Sequence, residues 1–286
     1  MCLKNSSRGD ILVNSLPYIQ KHYGKTIVIK YGGNAMISDA LRESVIKDII
    51  LLKCVGINPV VVHGGGPHIS EFLDKLNIKS KFINGLRYTD NEMIELVQMV
   101  LAGKVNKDIV SLFQKKGGTA IGLCGMDGSL IEATKYESSE DLGNVGEITN
   151  INNKVLEMAL NSDYIPVVCS IAISSDGSSI YNINADTCAS KIAASLKAEK
   201  LILLTDVKGV MLDQNDPKTL ISKLRLHEIP KLTQDEIIKS GMIPKIDCCV
   251  EAIRMGVNKS HIIDGTVKNA LLLELFSDDG IGTMIY

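Results

Sequence analysis

The sequence predicts an α/β fold built on a mainly parallel sheet. Short β-branched, apolar runs alternate with longer segments in which apolar residues recur at helical spacing. Two of the apolar runs lead directly into glycine turns, as is typical of strands whose carboxyl ends hold a ligand. With 286 residues, of which 45% are hydrophobic, the chain is long enough for one large core or for two lobes.

Composition and charge exclude several classes of function. The net charge of −2 argues against nucleic acid or a membrane surface as a partner, because both reward a clustered positive field. No apolar run approaches the ~18–20 residues of a membrane span, and the N-terminus lacks the apolar region of a signal peptide. The seven cysteines form neither a secreted disulfide framework nor a zinc pattern. We therefore expect reduced, mostly buried thiols in a cytoplasmic protein.

The chain begins with a predicted N-terminal helix over residues 11–23. Its apolar positions recur at helical spacing: Leu12, Leu16, Ile19 and Tyr23. Pro17 should kink this helix. Because the helix precedes the first core strand, nothing obliges it to pack within its own subunit. The alternative is a helix that lies on its own domain.

The first glycine turn lies within residues 26–36, which read TIVIKYGGNAM. A buried strand is predicted at 26–29, with Lys30 at its carboxyl end. The glycines let the backbone turn sharply, and the helix that follows offers unpaired N–H groups and a positive dipole end. This combination predicts an anion site, whereas the alternative is a turn whose lysine is merely solvated. A further helix is predicted at 39–55.

The second glycine turn has the same construction. A β-branched run at residues 59–62 leads into HGGGPH at 63–68, where the proline suits the first turn of a helix. Two such turns in successive strand–helix units are more specific than one. His63 and His68 are possible metal ligands, but no carboxylate or cysteine stands at metal spacing from them. We therefore favour structural roles for both histidines and predict no metal site.

Arg87 lies in a loop just before a predicted capping box. In this box Thr89 would cap a helix over residues 90–115 and Glu92 would reach back to it. An arginine in such a loop can bind a carboxylate through two parallel hydrogen bonds, and the alternative is an ordinary surface arginine.

The segments on either side of Asp186 are also predicted from their patterns. Residues 120–124 and 164–170 are expected to be strands, and residues 125–149 a hairpin that crosses the sheet. A helix is predicted at 187–197, so Asp186 could simply cap it. A functional role for this carboxylate requires charged partners from elsewhere in the chain.

The C-terminal part of the chain offers such partners. A strand at residues 200–205 leads into a turn suited to a nucleotide. Residues 233–236 are a second predicted capping box, whose helix would end at Gly241. Lys245 would then lie on a linker ahead of a helix at 246–255, from where it can reach the cleft. The remaining predicted elements are strands at 261–263 and 282–285 and a helix at 268–276.

Several nucleotide-binding and hydrolytic motifs are missing from the sequence. It contains no G-x-x-x-x-G-K-[ST], no G-x-G-x-x-G, no protein-kinase loops and no G-x-S-x-G nucleophile. Two glycine turns for anions, two distant lysines and one candidate aspartate remain. This set of residues favours phosphoryl transfer.

Six motifs together resemble the amino acid kinase family, and they occur in the family's order and register. They lie at residues 30–33, 63–66, 84–87, 182–186, 205–209 and 241–245. The resemblance extends from about residue 25 to the C-terminus. It implies a three-layer αβα sandwich about a mainly parallel sheet. It also implies an N-terminal helix at 1–24, a lobe for the amino-acid substrate at 25–195 and an ATP-binding lobe at 196–286.

The resemblance further implies a reaction and its residues. ATP, with Mg²⁺, would phosphorylate the γ-carboxylate of N-acetyl-L-glutamate, a step of arginine biosynthesis. Lys30 and Lys245 would stabilise the transferring phosphoryl group, and Asp186 would orient both lysines. The residues implied for the acceptor are Gly65, Gly66, Arg87 and Asn182. Those implied for the nucleotide are Gly33, Thr205, Asp206, Val207 and Gly209.

Two other interpretations stay open. Glutamate 5-kinase and carbamate kinase share the fold and act on other small carboxylates, and residues 84–87 and 182–186 are the features that favour the acetylated substrate. A non-catalytic arginine sensor is the alternative from a different class. Retention of Lys30, Asp186 and Lys245 disfavours it, because an inactive site has no reason to keep charges that are costly to bury.

Both ends of the chain resemble the arginine-inhibited members of the family. The resemblance implies L-arginine as a feedback inhibitor, bound near Tyr18, Glu274 and Gly282. It also implies a homo-oligomer in which N-terminal helices interlace dimers into a hexamer, while a PII-type regulatory partner is left open. Thr266 and Asn269 differ from the Arg and His of that signature, so weaker inhibition is an open alternative.

Overall fold

The computed structural model describes residues 5–36, 38–214 and 216–286. The helices are α1 (Asn5–His22), α2 (Asp39–Cys54), α3 (Gly66–Lys75), α4 (Asn91–Gln98), α5 (Asn106–Lys115), α6 (Asn153–Asn161), α7 (Ala185–Ser195), α8 (Ile229–Gln234), α9 (Ile243–Arg254) and α10 (Ala270–Leu275). The strands are β1 (Thr26–Tyr31), β2 (Asn58–His63), β3 (Phe82–Ile83), β4 (Leu86–Arg87), β5 (Ala120–Leu123), β6 (Ile131–Lys135), β7 (Gly146–Ile151), β8 (Ile165–Cys169), β9 (Ile171–Ile173), β10 (Ile180–Asn182), β11 (Lys200–Thr205), β12 (Lys223–Leu224), β13 (Lys259–Asp264) and β14 (Thr283–Ile285).

Eight of these strands form the central sheet in the order β12-β14-β13-β11-β1-β2-β8-β5. Neighbouring strands run parallel throughout it, except that β13 and β14 are antiparallel. The chain proceeds from β1 to β2 on one side and places β11 on the other side of β1. In open α/β sheets a ligand crevice lies outside the carboxyl ends of the strands at such a switch point.

Side chains on the two faces of this sheet belong to two separate apolar clusters. Ile27 and Ile29 of β1 join the cluster that includes residues of α2, α3, α5 and α10. Val28 joins the cluster that includes residues of α6, α7 and α9. Helices therefore cover both faces, which confirms the expected three-layer αβα sandwich. Because side chains alternate along a strand, Lys30 shares the face of Val28 and points toward α7 and α9.

Two smaller sheets lie outside the central one. Strands β6 and β7 pair antiparallel within a sheet of order β10-β9-β6-β7, which confirms the hairpin predicted for residues 125–149. Strands β3 and β4 form a two-stranded hairpin that carries Arg87.

The single helix predicted at residues 90–115 is wrong in two respects. A π-helix at Met99–Val105 separates α4 from α5. The predicted cap is also displaced, since Asp90 accepts the Met93 N–H at 2.8 Å. Thr89 cannot cap the helix because its backbone is held by hydrogen bonds to Leu142 and Asn144, and its hydroxyl donates to the Arg87 carbonyl at 2.8 Å.

Two predictions for the C-terminal part also need correction. Residues 233–236 do not begin a helix, because α8 ends at Gln234 after starting near Pro230, a residue suited to a first helical turn. Lys245 does not lie on a linker. Pro244 starts α9 early in the same way, so Lys245 lies in its first turn.

Helix α1 is longer than predicted and continues through Pro17. Several of its apolar residues are exposed, namely Ile11, Leu12, Val13 and Leu16.

Within the three described ranges, no helix combines the length and apolar character that crossing a membrane requires. The six described cysteines are free thiols and all but Cys54 are buried, which confirms the expected burial of most thiols in that part of the chain.

Candidate active site

Three charged side chains converge at the carboxyl end of β1. The Lys30 ammonium lies 2.9 Å from Oδ1 of Asp186, and the Lys245 ammonium lies 3.2 Å from Oδ2 of the same carboxylate. The side chains of Lys30 and Asp186 are each 12% exposed, so water screens their ion pair only weakly. The structure thus brings together the three residues named for catalysis from three distant segments.

Asp186 is available to the lysines because another residue caps its helix. Asn184 is the N-cap of α7, and its side-chain oxygen accepts the N–H groups of Asp186 at 2.9 Å and Thr187 at 3.2 Å. The simple capping role considered for Asp186 is therefore wrong, and its carboxylate faces β1 from the first turn of the helix.

The charges of this cluster are strongly coupled. Burial raises the pKa of Asp186, but the ammonium groups of Lys30 and Lys245 outweigh burial and hold that pKa below its ordinary value. The carboxylate is therefore ionised at neutral pH, and two lysines against one carboxylate leave one net positive charge. A cationic cleft of this kind suits an anionic group, and removing one lysine would weaken both its charge and its geometry.

The first glycine turn gives this cluster its space. A Cβ on Gly32 would lie 2.6 Å from the Lys30 ammonium, so the lysine can occupy its position only above a glycine. Gly33 has a φ of +64° and starts a short 3₁₀ turn, Gly33–Met36. The helix expected directly after the glycines is therefore only this turn, and α2 begins at Asp39.

The four residues named for the acceptor line one pocket of about 170 Å³. They are Gly65, Gly66, Arg87 and Asn182, and Ala185, the neighbour of Asp186, also lines the pocket. Asn182 ends β10 and Ala185 begins α7, so the pocket lies directly beside Asp186 and its two lysines. The structure therefore joins these four positions as predicted from the sequence.

Arg87 is buried and held from several sides. Its guanidinium donates to the Gly66 carbonyl at 3.1 Å, to the Ser70 hydroxyl at 2.9 Å and to the Ser80 hydroxyl. It also lies over the Phe82 ring, 4.6 Å from the centroid. The alternative of a surface arginine is wrong, because these contacts fix a planar donor at the pocket wall.

The turn named for the nucleotide lines a second cavity of about 340 Å³. Asp206, Val207 and Gly209 line it, together with Met242 just before α9. Thr205 does not; its hydroxyl accepts the Val207 N–H at 2.9 Å and shapes the turn. Gly209 has a φ of +134°, which a side chain would rarely adopt.

The residues named for arginine lie where α1 approaches the C-terminal tail. Tyr18 and Glu274 line a cavity of about 190 Å³, and the Tyr18 hydroxyl donates to Asp278 at 2.5 Å. Gly282 does not line it, but its N–H donates to Glu274 at 3.2 Å. The other Glu274 oxygen lies 2.6 Å from Nδ1 of His261, so both carboxylate oxygens already have partners.

The sequence interpretation missed the residues that support the site. Asn184 could have been identified as the cap, because asparagine caps helices as well as aspartate does and it lies two residues before Asp186. Ser70 lies one helical turn beyond Gly66, so its reach toward the pocket could have been predicted from spacing. Phe82 and Ser80 carried no such signal, because only the fold of the β3–β4 hairpin brings them to Arg87.

Comparison with known proteins identifies the family. The sequence model of the amino acid kinase family matches residues 25–264. Acetylglutamate kinase from Clostridium beijerinckii is 67% identical over 284 residues, which is 99% of this chain and 100% of the relative. Acetylglutamate kinase from Clostridium kluyveri is 62% identical over 276 residues, 96% of this chain and 97% of the relative. The chain therefore belongs to the amino acid kinase family.

A solved structure supports the same assignment at the level of the fold. N-acetylglutamate synthase from Neisseria gonorrhoeae, complexed with coenzyme A and N-acetyl-glutamate, superimposes with a TM-score of 0.83 at 25% identity. The match covers 96% of this chain and 62% of the synthase chain.

Proposed function

We propose that this chain is an acetylglutamate kinase. It transfers the γ-phosphoryl group of ATP to the γ-carboxylate of N-acetyl-L-glutamate, giving N-acetylglutamyl 5-phosphate and ADP in arginine biosynthesis. The observation that carries this proposal is the position of Asp186, which holds Lys30 and Lys245 beside the pocket lined by Arg87. The acetylglutamate kinases that resemble the chain over nearly its whole length support the same reaction.

The acceptor's own chemistry explains why the site needs lysines and not a general base. A γ-carboxylate is already an anion at pH 7, so no proton has to be removed before it attacks. What hinders the reaction is the approach of two anions, together with the charge that spreads over the transferring phosphoryl oxygens. Lys30 and Lys245 neutralise that charge, and Asp186 fixes both ammonium groups before the substrates arrive.

The acceptor pocket selects its substrate by charge and by shape. Arg87 binds the carboxylate that does not react, while Gly65, Gly66 and Asn182 hold the rest of the molecule. Ile69, Leu101 and Val145 contribute apolar surface to the same pocket. The acetyl group removes the positive charge of the amine, and a free ammonium would lose hydration there without gaining a partner.

ATP binds on the other side of the charged cluster. The backbone N–H groups at Gly33 bind its phosphates, and the turn formed by Thr205, Asp206, Val207 and Gly209 receives the adenine and ribose. Mg²⁺ would enter with the nucleotide as MgATP and would supply positive charge that offsets the charge of the phosphates. The proposed amino-acid lobe (25–195) and ATP lobe (196–286) meet where β1 pairs with β11.

Regulation by L-arginine and a hexameric assembly are further parts of the proposal. The cavity lined by Tyr18 and Glu274 is a candidate inhibitor site because it combines carboxylates with a hydroxyl between α1 and the tail. The exposed apolar residues of α1 are candidates for contact between dimers. Free thiols at the described cysteines fit a reaction in the reducing cytoplasm.

A panel of acceptors tests the proposed reaction. ADP release from MgATP is measured with N-acetyl-L-glutamate, L-glutamate, L-aspartate and carbamate at equal concentrations. We expect N-acetyl-L-glutamate to give the highest kcat/KM by a wide margin. Faster turnover of free glutamate or of carbamate would transfer the assignment to another carboxylate kinase of this fold.

A further inference from the structure

His63 lies at the end of β2, directly before the glycines of the acceptor pocket, and is fully buried. Its Nδ1 is 2.8 Å from the Gly64 carbonyl oxygen, and its Nε2 is 3.0 Å from Nδ2 of Asn106. Neither His63 nor Asn106 lines the pocket. Any effect of this pair on the substrate is therefore indirect, and the pair contacts the glycine turn at Gly64.

The orientation of the Asn106 amide is fixed by the sheet. Its Nδ2 lies 2.8 Å from the Val167 carbonyl in the middle of β8 and 3.3 Å from the Leu123 carbonyl at the end of β5. Carbonyl oxygens only accept hydrogen bonds, so the NH₂ group must face them. A flipped amide would place its oxygen against two carbonyl oxygens, whereas in the observed orientation this oxygen accepts from Lys107 at 3.0 Å.

This orientation determines the tautomer of His63. Because the Asn106 NH₂ group faces Nε2, that nitrogen must accept a hydrogen bond. The neutral ring therefore carries its hydrogen on Nδ1 and donates it to the Gly64 carbonyl. Burial lowers the pKa of His63 to about 4, so the ring stays neutral at neutral pH.

The local fold is arranged to place Asn106 at this point. The π-helix Met99–Val105 ends directly before it, and π-helical turns are frequent at functional sites. A Cβ on Gly122 would overlap the Asn106 side-chain oxygen, so a glycine of β5 gives the amide its space. The same π-helix packs Leu101 against Gly65, where an added Cβ would lie 2.6 Å from the leucine.

We propose that Asn106 and His63 are positioning residues for the phosphoryl acceptor. Two carbonyls of the central sheet fix the amide of Asn106, the amide fixes the tautomer of His63, and the Nδ1 hydrogen holds Gly64. The turn then presents Gly65 and Gly66 to the acceptor in one conformation. This inference rests on the function proposed above, since it assigns that substrate to the turn.

Two substitutions of the same histidine separate this role from simple packing. In asparagine, the side-chain amide nitrogen is separated from Cα by the same number of bonds as Nδ1 of histidine. In glutamine, it is separated by the same number of bonds as Nε2 of histidine. His63→Asn therefore keeps a donor for Gly64, and His63→Gln removes it. We expect His63→Gln to raise the KM for N-acetyl-L-glutamate about tenfold, and His63→Asn to raise it clearly less. The KM for MgATP should change less than about twofold in both variants. Equal acceptor KM values for the two variants would overturn the proposal.

The tautomer can also be measured directly in the full-length wild-type protein. ¹⁵N-histidine NMR distinguishes protonated from unprotonated ring nitrogens, and the signals absent from His63→Asn identify this residue. We expect a neutral ring with hydrogen on Nδ1 at every pH between about 6 and 8, since the pKa lies near 4. A hydrogen on Nε2, or a ring that titrates within that range, would refute the proposed set of hydrogen bonds whatever the kinetic constants of the variants are.

A matched amide provides the control. Asn153 is a partly buried amide that donates to the Ser195 carbonyl at 2.7 Å and does not line the acceptor pocket. We expect Asn106→Asp, which cannot donate to Nε2, to raise the acceptor KM about tenfold and Asn153→Asp to leave it unchanged. If the wild-type protein phosphorylates no N-acetyl-L-glutamate, the proposed function fails. The NMR result then decides by itself whether Asn106 and His63 form the proposed set of hydrogen bonds.

Discussion

The ammonium group of Lys30 lies 2.9 Å from Oδ1 of Asp186. Lys245 approaches the other oxygen of the same carboxylate at 3.2 Å, so one side chain sets the distance and direction between two cations. Because Lys30 comes from β1 and Lys245 from α9, this carboxylate also connects the sheet to the helical layer. The proposed mechanism depends on this geometry more than on any proton transfer.

The two lysines should act mainly on the rate of the chemical step. We expect Lys245→Met and Lys30→Met each to lower kcat by roughly two to three orders of magnitude, with smaller changes in either KM. Lys191 is a matched control, because it also joins α7 to α9, through an ion pair with Glu251 at 2.7 Å. It lines neither the acceptor pocket nor the nucleotide cavity. Steady-state kinetics should show wild-type kcat for Lys191→Met. A normal kcat for Lys245→Met would remove that lysine from the mechanism.

Asp186 should matter for catalysis although it transfers no proton. Asp186→Asn keeps the size of the side chain but leaves Lys30 and Lys245 without their shared counter-charge. We expect kcat to fall about a hundredfold, because both ammonium groups lose their preset positions. Far-UV circular dichroism and thermal unfolding verify that the variant is folded. A folded Asp186→Asn protein with unchanged kcat would contradict the orienting role.

Asp48 gives the stability of the protein a distinct pH dependence. It is buried on α2, and burial raises its pKa to about 7, an effect only partly offset by the backbone N–H groups of Leu271 and Leu272. The folded state therefore binds a proton between about pH 4 and 7 that the unfolded state has released, so this group's contribution to stability falls as the pH rises through that window. We expect the free energy of unfolding of Asp48→Asn, taken relative to that of wild type, to be about 2–4 kcal/mol higher at pH 8 than at pH 5.

Urea denaturation at both pH values measures this gain, and comparing variant with wild type cancels the contributions of other titrating groups. Lys47→Gln is a suitable control on the same helix, since its side chain is largely exposed. Equal effects of Asp48→Asn on stability at pH 5 and pH 8 would contradict the raised pKa.

The N-terminal helix should affect assembly and inhibition more than catalysis. Deleting residues 1–24 removes Tyr18 and the exposed apolar residues of α1 but leaves the cluster around Asp186 intact. We expect activity to be largely retained, the hexamer to dissociate into dimers and inhibition by arginine to weaken. Sedimentation velocity and inhibition curves measure these effects. A full-length protein that sediments as a dimer and is insensitive to millimolar arginine would contradict this part of the account, but not the kinase assignment.

The features that could be predicted from the sequence are those encoded by short local patterns. β1 and β2 read as buried β-branched runs and β11 as an apolar strand, and the residue pattern at their carboxyl ends indicated the anion and nucleotide turns. The meeting of Lys30, Asp186 and Lys245 came from the family resemblance, because no local pattern can show that three distant segments approach one point.

The features that could not be predicted depend on contacts between elements. The π-helix Met99–Val105 has the same apolar periodicity as an ordinary helix, and its wider turn reflects packing against Gly65 and the burial of Asn106. Thr89 was assigned as a cap on local spacing, but long-range backbone hydrogen bonds hold it elsewhere. Tertiary contacts decided the result in both cases.

The identity of the product tests the central claim most directly. The purified full-length chain is incubated with MgATP, N-acetyl-L-glutamate and hydroxylamine, which converts an acyl phosphate into a stable hydroxamate that mass spectrometry identifies. We predict the γ-hydroxamate of N-acetylglutamate, formed in proportion to ADP and nearly abolished in Asp186→Asn and Lys245→Met. ADP release without this hydroxamate, or a hydroxamate formed only from unacetylated glutamate, would contradict the account.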